Sequence, residues 1–254
     1  PMATISPASG VAQTFSSPVV YTVTAEDEST QEWTVTITQD LSSVASLPYE
    51  CDFEDATENG NWMLENGTQT NKWHIGTAAS NGGANGLYIS SNNGVSNTYN
   101  TNSETYSYAY RPIEVEEAGH YDFSFDWKSY GEEYYDFLRA FAVPLSASQN
   151  LVAGESNGIE AYYSSSSVPD GWIDIANPSG ELSEESDWQH SEKSVALETG
   201  IYNVVFFWEN DNSDGDQTPA AIDNVSIERS TFTINASVGG EGYGTIDPSG
   251  EFTV

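Results

Sequence analysis

Short runs that are apolar, or that alternate apolar and polar residues with a period of two, recur along this chain. The short runs fall at Leu87 to Ser90, Tyr106 to Arg111, Tyr121 to Lys128, Phe137 to Pro144, Trp172 to Ile175, Ser191 to Leu197, Ile201 to Trp208 and Ala221 to Ile227. Clusters of Gly, Asn, Ser and Asp separate them, and no long segment keeps the 3.6-residue apolar period of a buried helix. Successive side chains of an extended strand point to opposite faces, so such runs bury one face each and must be stacked in pairs. The pattern predicts an all-β protein: a jelly-roll β-sandwich over residues 48–230, flanked by partial β modules.

The flanks carry the same texture. Val19 to Ala25 and Gln31 to Thr38 alternate apolar residues with Thr around an acidic turn, which is a hairpin signal. Residues 1–39 are therefore expected to be the C-terminal part of an immunoglobulin-like β domain. Residues 40–47, Ser-rich and followed by Pro48, read as a linker. Residues 231–254, with two alternating runs around a Gly-rich turn, read as the start of a further β repeat. On this reading the chain is a piece of a longer polypeptide.

Composition narrows the partners. The sequence has 39 Asp and Glu against 6 Lys and Arg, a formal charge of −33. That field repels nucleic acid and anionic membrane surfaces and favours cations. The 7 Trp, 15 Tyr and 10 Phe carry too much apolar area for a disordered acidic tail, so the charge must coat a folded body. Trp127 and Trp208, inside apolar runs, are expected in the core. Cys51 has no partner for an internal disulfide and reads as a small core residue. His74, His120 and His190 stand far apart, without the paired thiols of a zinc site. There is neither an 18-residue apolar run nor a basic, then apolar, leader pattern.

Several motifs in the middle segment resemble, in order, those of the cleaved-adhesin or choice-of-anchor J modules of bacterial surface proteins. They are Asp52-Phe53-Glu54 followed by Trp62, Lys72-Trp73-His74-Ile75-Gly76, and Phe123-Ser124-Phe125-Asp126-Trp127-Lys128 with Gly131-Glu132 and Asp136-Phe137-Leu138. Trp208-Glu209-Asn210-Asp211 and Pro219-Ala220-Ala221-Ile222-Asp223-Asn224-Val225 complete the set. The resemblance implies a MAM-like jelly roll at the bacterial cell surface, with structural calcium and a binding role in place of catalysis. The flanks are similar to a bacterial immunoglobulin-like repeat and to a Gly-Thr-Ile-x-Pro-Ser-Gly repeat.

Calcium takes six to eight oxygen ligands, which acidic loops supply. Asn210-x-Asn212-x-Asp214-Gly215 imitates the start of an EF-hand loop, but position one is Asn, position twelve is Ala221, and no helices flank it. A different set is expected. The first and last strands of a jelly roll commonly pair, which would bring Asp52 and Glu54 to Asp223. Strict alternation would put Asp223 on the face of Val225 and Ile227, where a carboxylate needs a cation or hydrogen bonds. Asp211 joins the expected calcium ligands, with Asn210, Asp214 and Asp216 as further donors. The stretch Asp211 to Asp216 reads as a solvated turn, with a weaker second cation site as its alternative.

Exposed aromatic rings can stack on sugars, and loops at sandwich ends are where binding resides. Tyr130, Tyr134 and Tyr135, and Tyr162 and Tyr163 before a Ser run, are the candidate ligand-binding rings; the alternative is that they pack in the core or its rim. Gly154-Glu155-Ser156-Asn157-Gly158 matches the nucleophile elbow in letters, but the residues after Gly158 carry no helix pattern. No two of the many carboxylates stand out as a glycosidase pair. The expected role is non-catalytic and extracellular: a calcium-stabilised adhesion module binding a glycan or protein on a host, a neighbouring cell or an environmental surface, alongside neighbouring modules of the same chain. The alternatives are a carbohydrate-binding module of a secreted glycan-degrading enzyme and a structural spacer in a surface fibre.

Overall fold

The structure, a computed structural model, describes residues 3–11, 19–35, 43–147, 151–159, 167–231, 233–236 and 250–253. The chain divides into two compact units between Ser43 and Val44. The first is an antiparallel sheet of β1 (Thr4–Ser6), β2 (Val19–Thr24) and β3 (Thr30–Val35), in that order. Tyr21 faces Trp33 and Val23 faces Ile5 across it, so alternation gathers the apolar residues on one face. Asp27 turns the β2–β3 connection by accepting from the Ser29 amide at 3.0 Å.

The second unit holds β4 (Ala45–Ser46), β5 (Tyr49–Cys51), β6 (Met63–Glu65), β7 (Lys72–Gly76), β8 (Gly86–Ser90), β9 (Thr105–Val115), β10 (Gly119–Ser129) and β11 (Phe137–Pro144). It continues with β12 (Ile173–Asp174), β13 (Glu185–Leu197), β14 (Gly200–Asn210), β15 (Ala221–Arg229) and a hairpin of β16 (Thr233–Ala236) and β17 (Gly250–Thr253). One short helix, α1 (Ala56–Asn59), is capped by Asp55, whose side chain accepts from the Thr57 amide at 2.7 Å. One sheet runs β13-β10-β15-β8-β7, with β5 also on β15; the other runs β12-β11-β14-β9-β4, with β6 also on β9. Of the expected linker, residues 40–42 lie outside the described residues, and its end is part of the second unit. Ala45 and Ser46 pair in parallel with β9, and Leu47 packs on the core. Apolar Ala45 and Leu47 are more stable there than in solvent.

Alternation builds the core between the sheets. Tyr121, Phe123, Phe125 and Trp127 of β10 meet Val204, Phe206 and Trp208 of β14, together with residues from β9, β11 and β15. Trp127 is 3% exposed, Trp208 is fully buried, and Cys51 is a buried free thiol. Phe125 meets Phe206 edge-on at 5.1 Å and Trp62 stacks on Phe206 at 6.0 Å. Each such fully buried large side chain contributes about 1.5–3 kcal/mol.

A second apolar cluster lies on the other face of the β11-β14-β9 sheet. Tyr108, Phe137, Phe141, Val205 and Phe207 are buried there under Leu151, Ile159 and Trp172. Asn157 Nδ2 donates to the Tyr108 hydroxyl at 2.8 Å, that hydroxyl donates to the Glu155 carbonyl, and the Gly154 amide donates to the Tyr106 carbonyl at 2.8 Å. The aromatic face of this sheet is thus covered in part by the chain itself. Among the described residues no helix is long and apolar enough to cross a membrane.

Candidate functional site

Three connections converge where β10 and β14 end and β11, β13 and β15 begin. The Tyr130 amide donates to the Thr218 carbonyl at 2.8 Å, the Asp216 amide to the Gly131 carbonyl at 3.2 Å, and the Glu184 amide to the Tyr130 carbonyl at 2.6 Å. Leu138 and Leu182 exchange two backbone bonds at 2.9 and 3.0 Å. The loops 130–136, 175–184 and 211–220 therefore form one backbone-bonded cluster. Asn71 braces it from below: fully buried, it donates to Asn210 Oδ1 at 2.8 Å and to the Asn100 carbonyl at 3.1 Å, and accepts from the Asn100 amide at 2.8 Å.

The first focus of the cluster is Asp136, which is fully buried. Its carboxylate accepts from the Tyr99 hydroxyl and, at 3.1 Å, from the Asp211 amide. Burial pushes its pKa up to about 7, against those two bonds and with the nearby charges of Asp211 and Glu132. Glu132 is likewise raised, by burial and then by Asp211, Asp214 and Asp216, and its Oε2 is a buried oxygen with no hydrogen-bond partner. Glycine is required on both sides: a Cβ on Gly131 (φ 52°) would strike the Asp136 carbonyl, and one on Gly215 (φ 97°) would strike the Asp136 carboxylate and the Tyr99 hydroxyl.

The second focus is a cavity of about 220 Å³, lined by Trp127, Glu133, Glu181, Glu184, Glu185 and His190 among others. The Trp127 indole Nε1–H is buried without an acceptor, and Glu181 Oε2 is buried without a donor. Burial, then the charges of Glu133 and Glu184, raise the Glu181 carboxyl, while a backbone bond at Tyr134 and the charge of Arg139 oppose the rise. Two aromatic rings stand at this end of the sandwich, Tyr130 at 37% and Tyr134 at 43% exposure. The Tyr134 phenol is bonded to Glu133, which raises its pKa.

A hydrogen-bonded chain runs from the cavity to the closing strand. His190 Nδ1 sits 2.7 Å from Asp126 Oδ1, and Asp126 Oδ2 accepts from Asn81 Nδ2 and Asn224 Nδ2 at 2.9 and 2.8 Å. Asp223 accepts from the Asn81 amide at 2.6 Å and the Asn224 amide at 2.8 Å.

The expected cation ligands separate into distinct places. β5 pairs with β15, Cys51 facing Val225, so the strand that precedes Asp52 does lie beside the strand that holds Asp223. Asp52 comes close enough to raise the Asp223 carboxyl, after burial as the main cause and Asp126 as the larger charge. Asp223 is not on the core face, however. Asn224 takes a left-handed φ of 51°, and the register against β10 jumps between Ser124/Ser226 and Asp126/Asp223. This bulge inserts one residue, so Ile222, Val225 and Ile227 face the core while Asp223 joins Asp126 on the outer face. Glu54 is held elsewhere, in an exposed loop, where it accepts from the Ala84 and Asn85 amides at 2.7 Å each.

Asn210 is no ligand candidate. Its Oδ1 accepts from Asn71 and from Trp208 Nε1 at 3.1 Å, and its Nδ2 donates to the Ser103 and Asp211 carbonyls at 2.8 and 2.7 Å. Asp211 caps its own turn through the Ser213 amide at 2.7 Å, but that turn is docked on Asp136 and Glu132 and is more than a solvated connection. Asp214 and Asp216 are exposed above it. Tyr135 is half-buried, and Tyr162 and Tyr163 lie outside the described residues. Among the described residues, no three Asp, Glu, His or Cys side chains converge as metal ligands would. Sequence reasoning did not offer Glu132, Asp136, Glu181 or Tyr99 as site residues, although Glu132 and Asp136 stand in the motifs Gly131-Glu132 and Asp136-Phe137-Leu138, the latter where a loop enters the apolar strand Phe137–Pro144.

Residues 1–37 match a family model described as SGBP, N-terminal, the N-terminal part of surface glycan-binding proteins. No curated protein matches the chain. Similar solved structures include a tandem CBM22 domain from Paenibacillus barcinonensis, with 16% identity and a TM-score of 0.43, covering 83% of this chain and 56% of that one. The enzymatically active domain of a bacteriophage CBA120 tailspike shares 14% identity at a TM-score of 0.40, covering 70% of this chain and 20% of its own. The K1 cleaved adhesin domain of Lys-gingipain from Porphyromonas gingivalis shares 16% identity at a TM-score of 0.38, over 72% and 98%. This chain thus spans about a fifth of the tailspike domain and about half of the tandem.

Proposed function

We propose that this chain is a non-catalytic glycan-binding module of a cell-surface protein, and that it binds through the end of the sandwich formed by loops 130–136, 175–184 and 211–220. One observation carries the reading. Two exposed tyrosines are joined to a cavity's lining residues, Tyr130 through its carbonyl to the Glu184 amide and Tyr134 through its phenol to Glu133, and two further lining residues, Trp127 and Glu181, each keep a buried polar atom without a partner in the protein. Sugar binding needs this combination of a flat apolar ring and directed polar groups. The match of residues 1–37 to surface glycan-binding proteins supports both glycan as the ligand and the cell surface as the location. It favours a carbohydrate-binding role over adhesion to protein.

The test is a glycan array followed by titration calorimetry, with Tyr130→Ala and Tyr134→Ala. Truncating a ring at the centre of an interface costs more than about 1 kcal/mol, so each variant should lose at least about fivefold in affinity with an unchanged melting temperature. If no glycan binds, or both variants bind like the parent, the reading fails.

Calcium is the second part of the proposal. Asp223 fits it poorly, because both its oxygens already accept amides. Among the loop carboxylates, Glu132 fits better: it keeps an unpartnered oxygen, and the charges of Asp211, Asp214 and Asp216 repel its own. Asp136, like Asp223, already accepts at both oxygens, and Glu132, Asp211, Asp214 and Asp216 would have to draw together on binding, since they do not converge as ligands in this structure. A calcium ion bound by these residues would offset that repulsion and hold the loops together.

A further inference from the structure

The cavity whose lining residues bond to Tyr130 and Tyr134 has a charge that a neutral-sugar site does not need. At about 220 Å³ it is smaller than the roughly 300–1,000 Å³ of most ligand pockets, and suits one sugar ring better than a length of polymer. Four glutamates line it, Glu133, Glu181, Glu184 and Glu185, and among the described residues no Lys or Arg does. The one lining group able to become a cation, His190, already faces Asp126 at 2.7 Å. Arg139 acts on Glu181 from outside the lining, and the net charge of −33 adds a field of the same sign.

The two unpartnered buried groups ask for different things. Trp127 Nε1–H needs an acceptor, and Glu181 Oε2 needs a donor. A hydroxyl can serve either, but a neutral sugar leaves the glutamates' mutual repulsion in place. An ammonium group forms charge-assisted hydrogen bonds with carboxylates, about twice as strong as neutral ones. A carboxylate on the ligand would meet four like charges and be repelled.

Resting on the glycan-binding reading above, we infer that this pocket selects a sugar ring bearing a free ammonium group, as in oligomers of de-N-acetylated hexosamine. The ammonium lies against Glu181 and its neighbours, and a ring oxygen or hydroxyl accepts from the Trp127 indole.

The experiment is calorimetric titration of the full chain at pH 6 with four tetrasaccharides: glucosamine, N-acetylglucosamine, cellotetraose and tetragalacturonate. The glucosamine tetramer should bind at least tenfold more tightly than the two neutral ones, and the galacturonate should not bind. Glu181→Gln and the more exposed Glu184→Gln should each remove most of that preference. Because a polycation can adhere to any acidic surface, Glu114→Gln/Glu116→Gln serves as control; these residues lie by the β9–β10 turn, at the other end of β10. The control should leave the preference intact. Neutral oligomers binding as tightly as glucosamine, binding of the galacturonate, or an equal loss in the control would overturn the inference while leaving glycan binding standing. If none of the four binds and no array glycan does, both readings fall.

Discussion

Asp136 offers the sharpest physical test of the loop cluster. Its carboxyl is pushed from 3.8 to about 7 in the folded chain, chiefly by burial. Because the folded value is the higher one, the unfolded chain ionises first as pH rises. The associated stability is complete below 3.8, declines between there and about 7, and is gone above. Between pH 5 and pH 7 this amounts to about two pH units at about 1.4 kcal/mol each, or about 3 kcal/mol. Relaxation and solvent around the acidic rim reduce that to about 1.5 kcal/mol. Asp136→Asn keeps the shape and an acceptor for the Asp211 amide but cannot ionise. The difference in melting temperature, variant minus parent, should therefore rise by about 3–6 °C from pH 5 to pH 8 for a domain of this size. Circular dichroism melts of both proteins in chelator measure it, and pH 5 is far enough above the isoelectric point near 4.1 to keep them soluble. Taking the difference cancels the other carboxylates. A difference that is flat with pH, or that falls, would refute the assignment of a raised, buried Asp136.

Chelation tests the calcium proposal: an ion at about 100 times its dissociation constant contributes about 2.7 kcal/mol, so removing it should lower the melting temperature, and Glu132→Gln with Asp211→Asn should abolish the response while Asp223→Ala should not. Identical melts with and without chelator would end that proposal. Asn71→Ala strips partners from buried Asn210 and from the Asn100 carbonyl and should cost about 2–3 kcal/mol in urea unfolding with an unchanged slope. A cost below about 0.5 kcal/mol would show that the Asn71 bonds are replaced by water.

The reading of Asp223 shows where local pattern stops being informative. Alternation assigns a face only while each residue advances the strand by one step. The left-handed turn at Asn224 breaks that count inside AIDNVSI, and nothing in those letters announces it, because Asn is as ordinary in a loop as in a bulge. Glu54 went astray for another reason. Its partners, the Ala84 and Asn85 amides, belong to a loop some thirty residues away whose path no periodicity describes.

By itself the sequence determined the all-β class and the inward residues of the long strands such as Trp127 and Trp208. These arise from hydrophobic burial acting on a period of two, which is written locally along the chain. Only the tertiary structure decided which of these groups meet, since Asp136 and Asp211, or Trp127 and Glu181, lie far apart in sequence and are brought together by the loops. Loop geometry depends on non-local hydrogen bonds and close glycine contacts, and for that reason the loop-end site became visible in the fold and not in the order of residues.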